Sequence, residues 1–124
     1  MEVRSVENAK ILECDVLVVN KFENKLTSND MLNEFLPEDF TGKAGEIFVL
    51  HTHKKAPSTY ILAVGFGKEN ELDGNAIREN MVKAIKKCAD LKAKTVCIDI
   101  TTDYMFGTPA LIGAYIANYH FDKY

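Results

Sequence analysis

Two glycines at the end of an apolar run are the first candidates for a ligand-binding site. Gly65-Phe66-Gly67 closes the segment Thr59 to Phe66, which is predicted as a strand. Glycines at the carboxyl end of a strand let backbone amides approach a phosphate, and α/β folds often bind ligands there. A dinucleotide-binding fingerprint needs a third glycine three residues further, where this sequence has Asn70. The pattern therefore favours a tight strand exit, with phosphate binding as the alternative.

Two histidines are candidates for a metal site. His51 and His53 alternate at the end of a predicted strand, so their side chains should point to the same side, as two metal ligands would. The sequence supplies no third ligand at a recognisable spacing. We interpret both as exposed residues at the end of a hairpin, and His120 near the C-terminus is interpreted in the same way.

Three cysteines could act as nucleophiles or metal ligands. Cys14, Cys88 and Cys97 are odd in number, stand among apolar neighbours and never form a Cys-x-x-Cys pair. This pattern is typical of small core residues in a reducing compartment. We therefore expect three buried free thiols.

One predicted helix carries a cationic face that could meet an anionic partner. Arg78, Lys83, Lys86 and Lys87 lie opposite its apolar stripe, but Glu79 and Lys83 have the favourable i,i+4 order of a solvated face. The chain contains no Gly-x-Ser-x-Gly elbow, His-Glu-x-x-His helix or Walker loop. The residues alone therefore assign no catalytic, cofactor-binding or metal-binding side chain.

The composition is that of one ordinary globular domain. The chain has 124 residues, 47% of them hydrophobic, and a formal charge of -3 from 15 basic and 18 acidic residues. Such a length favours a single core. The mildly acidic balance argues against a nucleic-acid binder. The apolar runs are too short to cross a membrane, and the N-terminus lacks the apolar core of a signal peptide. We expect a cytoplasmic protein with neither nucleic acid nor membrane as a partner.

The first half of the chain predicts three strands and a short helix. Cys14 to Phe22 is predicted as a strand covered on both faces. Thr27 and Asp30 have capping-box spacing, and Leu26 and Met31 can form a hydrophobic staple, which predicts a helix from about Ser28 that ends by Pro37. Two further strands, Glu46 to Thr52 and Thr59 to Phe66, are predicted to form a hairpin.

The second half predicts alternating helices and strands. Asp73 is predicted to cap a helix over 74–92 whose apolar stripe comprises Ile77, Met81, Ala84, Ile85, Cys88 and Leu91. Strand 59–66, this helix and strand 95–100 are predicted to form a right-handed βαβ unit with parallel pairing. Gly107-Thr108-Pro109 is predicted to open a last helix that runs to the C-terminus. The chain is therefore predicted to be α/β, with helices layered on a mixed sheet.

Several short segments form an ordered set that spans nearly the whole chain. They are Cys14 to Val19 (CDVLVV), Phe40 to Glu46 (FTGKAGE), Val49 to His51, Val64 to Lys68 (VGFGK), the helix around Arg78, Ala110 to Tyr115 and Tyr119 to Tyr124 (YHFDKY). In this order they resemble the N-terminal domain of the leucine (cytosol) aminopeptidase family of metallopeptidases. The resemblance implies a three-layer, macro-domain-like α/β fold with a mixed, mostly parallel sheet flanked by helices.

The resemblance also implies where the chemistry lies. In the family, a larger C-terminal domain holds two divalent metal ions, zinc or manganese, which activate water against the peptide carbonyl. The family's Asn-Thr-Asp-Ala-Glu-Gly-Arg segment has no match here, so no catalytic or metal-binding residue is carried over. We therefore expect residues 1–124 to be a single non-catalytic domain, with no cofactor of its own, that ends about where the catalytic half would begin.

Two functions remain open. As an accessory domain, the chain would have its own catalytic domain and the other subunits of a homo-oligomer, a hexamer in the family, as partners, and would meet peptide substrate only through the parent enzyme. As a free-standing macro-domain-like module, it would bind an ADP-ribose-type nucleotide where Gly65, Gly67 and the helix start at Gly107 meet phosphates. The chain lacks the glycine-run phosphate loop and the asparagine pair of macro domains, so the accessory function is favoured.

Overall fold

The computed structural model describes residues 1–6, 13–71, 73–99 and Gly113. The five strands in this part of the chain are β1 (Glu2–Val6), β2 (Cys14–Phe22), β3 (Ile47–His51), β4 (Ser58–Gly67) and β5 (Thr95–Asp99). Its α-helices are α1 (Asp30–Phe35) and α2 (Gly74–Asp90), and a 3₁₀ turn covers Glu69–Glu71. The predicted last helix, with Gly107 and His120, lies outside the described residues except for Gly113, which is helical and buried.

The strands form one mixed sheet in the order β1-β5-β2-β4-β3. Strands β1, β5, β2 and β4 are parallel, and β3 is antiparallel to β4. The mostly parallel sheet and the β3–β4 hairpin confirm two predictions. Strand β2 lies in the middle because its apolar residues cover both of its faces, and only a strand buried on both sides can accept such a pattern.

The predicted direct pairing of the strands that flank α2 is wrong. Strand β5 pairs with β1 and β2, and β2 separates it from β4. A crossover helix can pass over a strand, and the apolar β2 occupies the intervening position, while the strands on either side keep the predicted parallel direction. Strand β1 was not predicted, because its five residues (EVRSV) carry two charges and show no clear strand pattern. It forms by pairing with β5, in which Glu2 lies beside Thr95, 93 positions further along the chain.

Two cores lie on opposite faces of the sheet, which makes the fold three-layered. On one face α2 buries the predicted stripe, with its buried members Ile77, Met81, Ala84, Ile85 and Cys88 packed against strand residues such as Val18, Val64 and Ile98. On the other face Leu32 of α1 packs on Val19, Ile61 and Ala63. Asp73 caps α2 as predicted, since its Oδ1 accepts the backbone N–H of Ala76 at 2.7 Å.

The start of α1 differs from the prediction. Asn29 is the N-cap, accepting the backbone N–H of Leu32 at 2.9 Å, and the helix begins at Asp30. Thr27 instead pairs with Asn33, whose Oδ1 accepts both the backbone N–H and the hydroxyl of Thr27 at 2.8 and 2.7 Å. Leu26 is 83% exposed, so no staple closes over the cap. The predicted end holds, because α1 stops before Pro37.

Candidate functional site

The Gly65-Phe66-Gly67 segment lies at the carboxyl end of β4, where the sequence places a possible phosphate site. The backbone N–H of Gly65 donates to the carbonyl of Glu46 at 2.8 Å, and that of Gly67 donates to the carbonyl of Gly42 at 2.8 Å. A Cβ added at Gly65 would lie 2.2 Å from the carbonyl oxygen of Lys43. These amides are therefore bound to the 41–46 loop, and the tight strand exit is what the glycines provide.

The 41–46 loop is fixed by its own carboxylate. Glu46 Oε1 accepts the backbone N–H of Gly42 at 3.1 Å and that of Lys43 at 2.7 Å. Successive backbone N–H groups in such a turn form a concave anion site. Here an internal carboxylate occupies that site, so the loop closes on itself over the end of β4.

Lys21 ties the same loop to the central strand. This lysine is 9% exposed, and its Nζ donates to the carbonyls of Phe22 at 2.6 Å and Thr41 at 3.3 Å. Burial lowers the pKa of its ammonium group. Sequence reasoning missed both Lys21 and Glu46, although a lysine inside a β-branched run and a glutamate three residues after Lys43 were visible signals.

An open crevice of about 550 Å³ lies beyond the ends of β2 and β4. It is lined by Glu23, Asn24, Lys25, Lys68, Glu69 and Asn70. Lys25 donates a hydrogen bond to the carboxylate of Glu69. Because two carboxylates balance two ammonium groups, the crevice does not concentrate the positive potential that binds a phosphate.

The two histidines come together at the end of the β3–β4 hairpin, as their alternation predicts. Their ring centroids are 4.4 Å apart, and the ring of Tyr60 meets that of His51 edge-on at 5.1 Å. His51 Nδ1 accepts the backbone N–H of His53 at 3.0 Å, so one ring nitrogen is already used within the turn. Among the described residues, no group of three or more His, Cys, Asp or Glu side chains could hold a metal ion.

The three cysteines are buried and free, which confirms the core interpretation. Burial raises the pKa of Cys14 and that of Cys88 to about 12 in each case. A thiolate is the reactive form, so these thiols are unsuited to nucleophilic chemistry near neutral pH.

The cationic face of α2 is largely exposed in the described part of the chain. Lys83, Lys86 and Lys87 are exposed, and Arg78 donates to the side chain of Asn75 one turn away. The loop comes close to this helix at one point, because a Cβ added at Gly45 would lie 2.8 Å from Lys83 Nζ. The three lysines are thus exposed, as the charge pattern indicates, whereas Arg78 is partly buried and its backbone lies close to Gly113.

Two further carboxylates that the sequence did not single out also hold the fold together. Asp15 Oδ2 accepts the backbone N–H groups of Lys94 and Thr95 at 2.7 and 3.2 Å, which aligns the starts of β2 and β5. Asp99 is 1% exposed, and Ser28 Oγ donates to its Oδ2 at 2.6 Å. These acids, like Glu46 and Asp73, carry structural hydrogen bonds.

Comparison with known protein families shows which family this chain belongs to. Residues 23–124 match the model described as the cytosol aminopeptidase family, N-terminal domain. The chain belongs to the cytosol aminopeptidase family. The matched range includes the 41–46 loop and the Gly65–Gly67 strand end.

Similar family members are known from several bacteria. A probable cytosol aminopeptidase of Oleidesulfovibrio alaskensis is 33% identical over 95 residues, which covers 69% of this chain and 18% of that protein. Those of Alkaliphilus oremlandii and Rickettsia felis are 27% and 28% identical and are matched over 95% and 91% of this chain, or 27% and 23% of their own lengths. The chain therefore spans between about a fifth and a quarter of these relatives.

A solved structure supports the fold. The bottromycin maturation enzyme BotP superposes on 83% of this chain and 23% of its own with a TM-score of 0.64 and 14% sequence identity. At that identity the likeness concerns the fold alone, and it agrees with the macro-domain-like α/β architecture. No helix in the described part of the chain is long and apolar enough to span a membrane.

Proposed function

We propose that this chain is the non-catalytic N-terminal domain of a cytoplasmic aminopeptidase. The enzyme's larger, metal-binding domain would hydrolyse N-terminal amino acids from peptides, and this domain would support subunit assembly and access to the active sites. Family membership supports the parent activity. The observation that carries the accessory role is the match over residues 23–124 to the N-terminal domain of the family. The closed 41–46 loop adds that the amides at the end of β4 are already bonded within the domain.

The described carboxylates do not fit the dinuclear metal site of the parent family. Such a site needs several carboxylates that converge on two ions about 3.5–4 Å apart. Asp15, Glu46 and Asp73 instead accept backbone N–H groups at three separate places. We therefore assign the two divalent metals, zinc or manganese, to the other domain and derive no step of catalysis through these residues.

Turnover of a leucyl anilide tests the non-catalytic role. We expect the purified chain, supplied with manganese or zinc, to release no more product than a mock preparation, while the full-length Alkaliphilus relative serves as the positive control. Leucine release by the chain above the mock preparation would contradict the assignment of chemistry to another domain.

A chimaera tests the accessory role. In the Alkaliphilus enzyme, the N-terminal quarter that this chain matches would be deleted in one variant and replaced by this chain in another. We expect the deletion to lose both the native oligomer and peptidase activity, and the replacement to recover them in part. A deletion variant that keeps full peptidase activity and the native number of subunits would refute the accessory role.

Nucleotide binding at the strand end is the less favoured function. The amides of Gly65 and Gly67, which would have to meet phosphates, are already bonded to the loop. We expect no heat in calorimetry with millimolar ADP-ribose, and a saturable signal would restore this alternative.

A further inference from the structure

The crevice beyond the ends of β2 and β4 lies where the connections of the sheet diverge. These two strands are parallel neighbours. Strand β2 leads to α1, whose Leu32 packs on one face of the sheet, whereas β4 leads to α2, which covers the other face. In open α/β sheets, ligands bind in the crevice that the carboxyl ends of two such strands leave between them. The topology and the observed cavity of about 550 Å³ therefore point to the same place.

The walls of this crevice are tied to each other. The backbone N–H of Glu23 donates to the carbonyl of Gly67 at 3.0 Å, which joins the wall that follows β2 to the end of β4. The side chains of Lys25 and Glu69 form an ion pair from one wall to the other. The crevice is thus formed before any ligand enters, and its volume lies in the range of small-molecule sites.

One carboxylate and one ammonium group of the lining remain available to a ligand. Lys25 and Glu69 pair with each other, and Glu23 and Lys68 make no ion pair within the described part of the chain. The buried ammonium group of Lys21 interacts with Glu23 only through space, since its Nζ donates to two backbone carbonyls. Glu23 follows β2 and Lys68 follows β4, so the two available charges stand on opposite walls.

We propose that this crevice binds a small zwitterion whose ammonium group pairs with Glu23 and whose carboxylate pairs with Lys68. A free amino acid and a short peptide share this chemistry. The carboxamides of Asn24 and Asn70 also line the crevice and can both donate to and accept from the polar groups of such a ligand. The proposal rests on the proposed function, because amino acids and shortened peptides are the products of an aminopeptidase, and it gives this domain a site for them.

Titrations followed by NMR of the backbone amides test the binding. The probes are leucine and the dipeptide leucyl-leucine. We expect saturable shifts at residues 23–25 and 68–70, which line the crevice, with a Kd of about 1 mM for the better probe, as an exposed site gives. The probe that binds more tightly shows whether the crevice takes amino acids or peptides. The absence of saturable shifts with both probes at about 20 mM would overturn the proposal.

Derivatives that lack one charge show which group each residue binds. The N-acetyl derivative of the better probe has no ammonium group and its amide has no carboxylate, so each should bind about fivefold more weakly. Glu23→Gln should weaken the probe about fivefold without weakening the N-acetyl derivative further, and Lys68→Gln should have the same relation to the amide. An N-acetyl derivative or an amide that binds as tightly as the probe itself would overturn the proposal.

Matched control variants remove charges outside the crevice. Glu71→Gln and Lys55→Gln change exposed residues that do not line it, and both should bind the probe as the wild type does. Losses in these controls equal to those in Glu23→Gln and Lys68→Gln would overturn the assignment to the crevice. The absence of binding would leave the accessory role untouched, because that role is tested separately by the chimaera and by leucyl anilide turnover.

Discussion

Replacing Glu46 with alanine tests whether its carboxylate closes the 41–46 loop. The substitution leaves the backbone N–H groups of Gly42 and Lys43, now 3.1 and 2.7 Å from Glu46 Oε1, without their acceptor. Hydrogen bonds to a charged group contribute about 1.5–3 kcal/mol each when buried, and partial exposure here reduces the value to about 1 kcal/mol each. We expect Glu46→Ala to lower the free energy of unfolding by about 2 kcal/mol.

Urea and thermal unfolding measure this loss. For a domain of this size about 1 kcal/mol corresponds to roughly 4 °C, so Tm should fall by about 8 °C. Glu46→Gln keeps an oxygen acceptor without the charge and should lose about 1 kcal/mol. Hydrogen exchange should rise at the Gly42 and Lys43 amides in the alanine variant, since these are the two donors that lose their partner.

The control is Glu71→Ala, at an exposed carboxylate outside the loop, which should change stability by less than about 0.5 kcal/mol. If Glu46→Ala were as stable as this control, the carboxylate would not be what holds the loop, and the reasoning from its two short contacts would be refuted. Equal losses in the alanine and glutamine variants would refute the role of charge alone.

Three further predictions follow from close contacts and from burial. Gly65→Ala should cost at least about 3 kcal/mol of unfolding free energy or prevent folding, because the new Cβ would lie 2.2 Å from the Lys43 carbonyl. Gly113→Ala should lower Tm, with a loss of about 1–3 kcal/mol, because its Cβ would lie 2.8 Å from the carbonyl oxygen of Arg78. Burial raises the pKa of the Cys88 thiol from 9.0 to about 12, so the folded state keeps a proton that the unfolded chain loses. The free energy of unfolding should therefore fall above pH 9.0, by at most about 1.4 kcal/mol per pH unit, and less steeply in Cys88→Ala.

Urea titrations check all three variants, and each prediction has its own contrary result. Wild-type stability in Gly65→Ala would mean that the 41–46 loop can shift away from the new Cβ at little energetic cost. The same result in Gly113→Ala would mean that the backbone of Arg78 can shift in the same way. For the thiol, stability is fully present below pH 9.0 and is lost towards pH 12. A curve of unchanged slope in Cys88→Ala would show that this thiol does not contribute.

Local patterns predicted the elements whose order is set by nearby residues. The Cys14–Phe22 strand has the predicted bounds, and α2 has the predicted cap and apolar stripe. Both were predictable because the spacing of apolar residues indicates directly which faces of a strand or helix are buried. The predicted N-cap of α1 was wrong because Thr27, Asn29 and Asp30 are all residue types that can cap a helix. Thr27 pairs with Asn33 instead, and Asn29 is the cap.

Long-range features escaped the sequence because they depend on neighbours far along the chain. The insertion of β2 between β4 and β5 and the formation of β1 are set by which strands meet, and no local pattern encodes that choice. At the candidate site, the glycines at 65 and 67 were correctly interpreted as a strand exit. The 41–46 loop that binds this strand end, and the contact of Lys21 with that loop, could not be predicted, because they join residues about twenty positions apart in the sequence.

The pairing of Glu2 with Thr95 also orders events during synthesis. Strand β1 leaves the ribosome before β5, which is its only neighbour in the described sheet. Strand β1 therefore cannot form this pairing until β5 has been synthesised, and contacts between such distant residues slow folding. A version that stops before residue 95 would leave β1 without its partner in the described sheet, so this sheet is complete only when residues 2–6 and 95–99 are both present.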